Sequence, residues 1–268
     1  MFYNAKNCSL KIDDTQMDYI TFGKGDKTLV MIPGLGDALR TVKGSAAVFA
    51  LMYKLFAKDY RVYVFSRKNK LKQGCSTRDM AADLANAMNR LGITNAFALG
   101  VSQGGMIAQY LAIDFPEMVE KLVLAVTLCK QNETSKRVIS QWILLADQND
   151  FKSLFADMAE KIYTPKRAKA QRPFNAILSA LTKPKSLDNF ILQASACIAH
   201  DSSALLDKIQ CPVLITGGDE DKVLGGDSAD EIAQRIKGSE LKIYHGYGHS
   251  AYEESKDFNR QVLKFLNA

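Results

Sequence analysis

The stretch Gly100-Val101-Ser102-Gln103-Gly104 has the residue types and spacing to do chemistry. It follows the apolar run Phe97-Ala98-Leu99, and a helical pattern over 106–115 comes directly after it. Gly-x-Ser-x-Gly between a strand and a helix is the nucleophile-elbow arrangement. Glycines two before and two after the serine let neighbouring backbone approach without a Cβ clash. The hydroxyl then projects above the sheet at a helix N-terminus, whose partial positive charge favours a developing anion. A serine hydroxyl is a poor nucleophile until a base takes its proton. The anion formed on an attacked carbonyl also needs donors already in place. The motif supplies one of these, the backbone N–H of Gln103, the residue after the nucleophile.

Three histidines are available as the base: His200, His245 and His249. His200-Asp201-Ser202-Ser203 places serine, acid and histidine side by side, but a triad is defined by geometry and roles, not adjacency. Ser202 and Ser203 read instead as caps of the helix through Leu206. His245 lies at a strand end and reads as structural. His249 sits in the loop Gly246-Tyr247-Gly248-His249-Ser250. A metal reading of His245 and His249 fails for want of a third ligand. The five cysteines are odd in number, scattered and without a CxxC pair, so neither a zinc site nor a disulfide framework is expected. Asp219, Glu220 and Asp221 compete as the acid.

The elements that must hold these residues can be read from periodicity. Apolar runs at 29–32, 62–65, 96–100, 121–126, 213–216 and 241–244 read as strands, and 46–57, 80–91, 106–115 and 229–236 as helices. Nearly continuous apolar strands alternating with helices imply a parallel sheet covered on both faces. Residues 9–12 and 18–22 read as an antiparallel edge, followed by a hairpin turn at 23–27 that lacks P-loop spacing. Ser76-Thr77-Arg78-Asp79 is a capping-box-like helix start. Between 129 and 199 the patterns are only helical: 135–146, 151–163, 173–181 and 186–198, with Pro165 and Pro184 between them. This segment is expected to be a helical cap over the C-terminal ends of the strands, where open α/β sheets bind ligands. The core then comprises 1–128 and 200–268.

With these features in order, the chain resembles the α/β-hydrolase family in its capped, esterase-like form. The resemblance covers the core and is weak over the cap. It implies an α/β fold with a mostly parallel central sheet, helices on both faces and an inserted cap. It matches Ser102 to the nucleophile. Asp221, just before Lys222-Val223, matches the acid, and His249 in its Gly-His loop matches the base. The second oxyanion donor matches the backbone N–H of Leu35 in Pro33-Gly34-Leu35-Gly36-Asp37, where the family usually begins His-Gly. Pro33 replaces that histidine and removes any bond by which it holds the loop. Arg67-Lys68-Asn69-Lys70 departs from the Asp-x-Arg-Gly-x-Gly loop common in relatives.

The expected function is hydrolysis of a small carboxylic ester or thioester through an acyl-enzyme, with no cofactor and no metal. Carbon–carbon bond hydrolysis, aminopeptidase action and acyl transfer use the same triad, and fold alone does not separate them. A non-catalytic ligand-binding relative is the reading from a different class. The net charge of +6 is mild and uneven. Lys161, Lys166, Arg167, Lys169, Arg172, Lys183 and Lys185 share one acid-free stretch. It reads as a solvated face, with a positive field over the site as the rival. No aromatic-interleaved basic motif points to nucleic acid, and no run is long and apolar enough for a membrane span. The N-terminus has no signal-peptide pattern, so a cytoplasmic location is expected. The sequence leaves the oligomeric state open.

Overall fold

The computed structural model describes residues 3–268, and eight strands among them form one sheet. They are β1 (Lys6–Ile12), β2 (Thr15–Phe22), β3 (Lys27–Ile32), β4 (Tyr60–Lys68), β5 (Ala96–Val101), β6 (Val119–Ala125), β7 (Val213–Gly218) and β8 (Glu240–Tyr244). The order is β1-β2-β4-β3-β5-β6-β7-β8. The pairs β1–β2 and β2–β4 are antiparallel and the rest are parallel.

The segment 23–27 is not a hairpin turn. β4 lies between β2 and β3, so the segment carries the chain past β4. Its glycines answer to that passage: a Cβ on Gly25 would stand 1.9 Å from the carbonyl carbon of Asp59. The hairpin is one link earlier. Asp13-Asp14 joins Ile12 to Thr15, with Asp13 at φ 52°, a left-handed conformation that a short polar side chain tolerates.

Helices α1 (Ala46–Met52), α2 (Thr77–Arg90) and α3 (Gln103–Asp114) belong to the first half of the chain. Five more follow β6: α4 (Glu133–Asp147), α5 (Phe151–Ile162), α6 (Pro165–Gln171), α7 (Asn175–Thr182) and α8 (Asp188–Ile198). The chain closes with α9 (Ser228–Arg235), α10 (Ala251–Glu254) and α11 (Phe258–Asn267). Alternate residues of β5 feed opposite layers. Ala96 and Ala98 pack with α2, α3 and α9, while Phe97, Leu99 and Val101 pack with α1 and α11. Burial on both faces explains why the strand reads as an unbroken apolar run. The capping box of α2 forms: Ser76 Oγ accepts from the Asp79 N–H at 3.1 Å, and Asp79 Oδ2 accepts from the Ser76 N–H at 2.8 Å.

All structure between β6 and β7 is helical or irregular, apart from one isolated bridge between Lys130 and Asp201. Trp142, Leu154, Phe190 and Ala194 from these helices share a buried cluster with Leu35 and Met106 of the strand-bearing part. The indole N–H of Trp142 donates to Asp157 Oδ2 at 2.7 Å. Pro165 lies between helices as expected, but it also begins one that was not expected, α6, where its missing N–H costs nothing. A 3-10 turn over Arg172–Phe174 then leads into α7, so the single expected helix over 173–181 is two pieces.

Candidate active site

β5 ends against α3, and Ser102 occupies the junction at φ 53°, ψ −119°. A non-glycine residue there is strained by about 1–3 kcal/mol and persists only where its surroundings enforce it. The enforcement is visible. The Ser102 N–H donates to the Ala125 carbonyl at 2.9 Å, and the Thr127 hydroxyl donates to the Ser102 carbonyl at 2.8 Å. The flanking glycines are required by close approach. A Cβ on Gly100 would lie 2.4 Å from the Gly104 carbonyl oxygen, and one on Gly104 would lie 1.9 Å from the Ile32 carbonyl oxygen. Gly104 is thus where the elbow beds into the loop after β3.

That loop begins at Pro33, and a short 3-10 turn over Leu35–Ala38 follows. Leu35 and Gln103 are each the first residue of a helical segment, so their N–H groups have no intrahelical acceptor. Gly34 rests on the Ser102 side chain, its would-be Cβ 3.2 Å from Ser102 Cβ. Gln103 thus follows Ser102 directly, and Leu35 follows the glycine that rests on it and lines the same cavity.

The loops after β7 and β8 bring in the remaining groups. The Ser102 hydroxyl donates to His249 Nε2 at 2.9 Å, and His249 Nδ1–H donates to Asp221 Oδ2 at 2.8 Å. The other carboxylate oxygen, Asp221 Oδ1, accepts the backbone N–H groups of Val223 at 2.8 Å and Leu224 at 2.9 Å. Asp221 and His249 are both buried. The roles follow from the donor inventory: an ionised carboxylate only accepts, so it holds the ring proton on Nδ1 and leaves Nε2 a free lone pair.

The competing residues go elsewhere. Asp219 Oδ2 accepts from His245 Nδ1–H at 2.8 Å and Asp219 Oδ1 accepts from the Gly246 N–H at 2.8 Å; these bonds hold its carboxyl below the ordinary value. His200 is buried, hydrogen-bonded to Thr77 Oγ1 at 2.8 Å, and burial depresses its pKa to about 4. Ser202 does not cap the following turn with its side chain. Its hydroxyl donates to Gln109 Oε1 at 2.5 Å, while Asp201 Oδ1 accepts from the Ser203 N–H at 3.0 Å.

Ser102 and His249 open onto a cavity of about 520 Å³. Its walls are mostly apolar: Phe49 from α1, Trp142 from α4, and Phe155, Met158 and Ile162 from α5. None of the seven basic residues between Lys161 and Lys185 lines it. Lys161 pairs with Asp157, and Arg167 pairs with Glu253 at 3.1 Å while stacking on Tyr163. The positive-field reading of that stretch thus finds no basic side chain of it on the cavity wall. Two buried residues beside the site, Asp37 and Arg67, were not singled out as functional from sequence: Arg67 stood only in the stretch Arg67-Lys68-Asn69-Lys70 that departs from the loop common in relatives. Burial raises the Asp37 carboxyl, and the Arg67 guanidinium opposes that shift.

Residues 27–256 match the family model for the α/β-hydrolase fold. The chain belongs to this family. Across 94% of this chain it is 26% identical to 92% of a 2-hydroxy-6-oxononadienedioate/2-hydroxy-6-oxononatrienedioate hydrolase of Pseudomonas putida. It is 25% identical to 3-oxoadipate enol-lactonase 2 of Acinetobacter baylyi, over 95% of this chain and 94% of that protein. Among solved structures, an α/β-hydrolase enzyme from a Medee basin deep-sea metagenome library superposes with a TM-score of 0.87. That match covers 97% of this chain and 98% of the other at 20% identity. The chain is accordingly a hydrolase. No helix among the described residues is long and apolar enough to cross a membrane.

Proposed function

We propose that the protein hydrolyses a small, largely apolar carboxylic ester or thioester through an acyl-enzyme on Ser102. The observation that carries this reading is the continuous relay Ser102–His249–Asp221, with links of 2.9 and 2.8 Å, opening onto an apolar cavity. The cavity volume of about 520 Å³ falls in the range of small-molecule sites.

Ser102 Oγ attacks the acyl carbon as its proton passes to His249 Nε2. The carbonyl π-electrons move to oxygen, and the Leu35 and Gln103 N–H groups receive the oxyanion. The tetrahedral adduct collapses by breaking the bond to the alcohol or thiol, which takes the proton from His249. A water molecule then attacks the acyl-serine, its proton again going to His249. Collapse releases the carboxylic acid and returns the proton to Ser102. Asp221 offsets the imidazolium charge in both halves of the cycle.

The test is a panel of p-nitrophenyl and thioester substrates of increasing acyl length, run beside fluorophosphonate labelling. Labelling at Ser102 with turnover of short and medium acyl groups is expected. Labelling at a different serine in active protein would refute the assignment. Turnover of a dienoic carbon–carbon substrate with no ester hydrolysis would replace the ester reading with the carbon–carbon one.

A further inference from the structure

Arg67, near the end of β4, is an unusual residue to bury. Its side chain is 5% exposed. Its Nη1 stands 3.9 Å from Asp37 Oδ2, a loose ion pair, and Nη1 and Nε have no hydrogen-bond partner among the described residues. A buried charge so incompletely paired costs stability that an apolar side chain of the same length would not. The two bonds the guanidinium does make therefore indicate what it is for. Both come from Nη2: one goes to the carbonyl of Pro33, the other to Gln103 Oε1 at 2.8 Å. Pro33 begins the loop that carries Leu35, and Gln103 follows the nucleophile. One nitrogen thus ties together the two segments that carry Leu35 and Gln103.

The rest of the network holds that nitrogen in place. Asp37, from the same loop, accepts the Arg67 backbone N–H at 3.1 Å and the Ser66 hydroxyl at 2.6 Å. Ser66 Oγ in turn accepts the Val42 N–H at 2.9 Å. Gln103 Nε2 donates onward to the Gln193 carbonyl at 3.0 Å on α8. The loop after β3, β4, the elbow and the cap helix α8 are joined through Arg67 and Gln103.

We infer that Arg67 is a positioning residue for the oxyanion hole, fixing the Pro33–Leu35 loop and Gln103 relative to each other so that their N–H groups converge on one oxygen. It takes over the loop-holding task left open where Pro33 stands in place of histidine. The inference rests on the ester-hydrolase reading, in which those N–H groups receive an oxyanion.

The experiment compares Arg67→Met, Arg67→Lys and Gln103→Leu with the wild type and with Ser102→Ala. The readouts are p-nitrophenyl butyrate hydrolysis and inactivation by an alkyl fluorophosphonate, in which the serine–phosphorus bond forms and fluoride leaves. A lost oxyanion interaction costs on the order of 10²-fold in kcat. Arg67→Met is expected to lose about that much, with KM changing by less than about threefold and the maximal inactivation rate falling in parallel. Arg67→Lys and Gln103→Leu are expected to lose about tenfold, again in kcat, since each keeps part of the network. Thermal melts identify the variants that fold, and Gln103→Leu, which removes the side-chain bonds of Gln103 to Arg67, Gln193 and Cys197 but leaves the Arg67–Pro33 bond in place, decides the question if Arg67→Met does not. Folded variants that keep wild-type kcat, or that lose activity only through KM, overturn the inference. Undiminished activity in Ser102→Ala overturns the ester-hydrolase reading itself, a separate outcome.

Discussion

Replacing Asp221 with asparagine keeps the shape of the side chain and exchanges one acceptor for a donor. The buried N–H groups of Val223 and Leu224 both point at Oδ1, at 2.8 and 2.9 Å, so the amide oxygen must take that place. The NH₂ group then faces His249 Nδ1, 2.8 Å away in the wild type. The ring has to present a lone pair there and move its proton to Nε2, which is the atom that must accept from Ser102. Restoring the productive tautomer requires flipping the amide, which leaves two buried N–H groups without an acceptor. At about 1–3 kcal/mol each that is roughly 2–6 kcal/mol, or about 30-fold to 10⁴-fold in rate. The upper end agrees with the roughly 10⁴-fold loss typical of neutralising a triad aspartate. The assay is kcat on p-nitrophenyl butyrate for Asp221→Asn beside Asp219→Asn and Glu220→Gln, with thermal melts as a fold control. Folded Asp221→Asn with kcat within threefold of wild type would refute the reasoning. So would a crippling loss in Asp219→Asn, whose carboxylate instead accepts from the exposed His245.

Ser102→Ala and Ser102→Gly are both expected to lose fluorophosphonate labelling and hydrolysis, but only the glycine variant relieves the positive φ. Its urea-derived stability should exceed that of the alanine variant by about 1 kcal/mol; equal stabilities would mean the elbow is unstrained. His200 is held at about 4 by burial, below its ordinary value, so between pH about 6.5 and 4 the unfolded chain takes up a proton that the folded chain refuses. Its contribution is complete above pH about 6.5 and is lost as pH falls toward 4, by up to about 3 kcal/mol. Urea midpoints from pH 7 to 4 should fall less steeply for His200→Gln than for wild type, and parallel profiles would exclude the effect. The triple change Lys166→Ala, Arg167→Ala, Lys169→Ala should leave the salt dependence of kcat/KM equal for a neutral ester and its carboxylate analogue. A salt-sensitive preference for the anion, lost in the triple variant, would put these charges at the substrate after all.

The elbow was legible because its demands are local: strand, glycine spacing and helix lie within a dozen residues, and each has its own sequence signal. His249 and Asp221 were matched through the resemblance to the family, the residues alone leaving Asp219 and Glu220 open, and they meet Ser102 because a parallel sheet puts the loops after its strands at one end. The hairpin at 23–27 misled because glycine marks close backbone approach as well as turns. Arg67 was missed for a different reason. A buried arginine and an exposed lysine look alike in a charge run, and only the three-dimensional path of β4 beside the loop after β3 separates them. Between β6 and β7, Pro165 was read only as a break between helices, and its fitness to begin one, α6, was missed.

The six residues from His249 to Glu254 answer to two masters. The Ser250 N–H donates to the Ile162 carbonyl, Glu254 accepts from the Thr164 hydroxyl at 2.7 Å, and Glu253 pairs with Arg167. His249 and the anchor for the α5–α6 corner are therefore one short piece of chain. An outward displacement of this corner would pull on its anchor and lengthen the bond from His249 to Ser102. A substitution in the α5–α6 corner therefore acts on the cavity wall and on the position of His249 together.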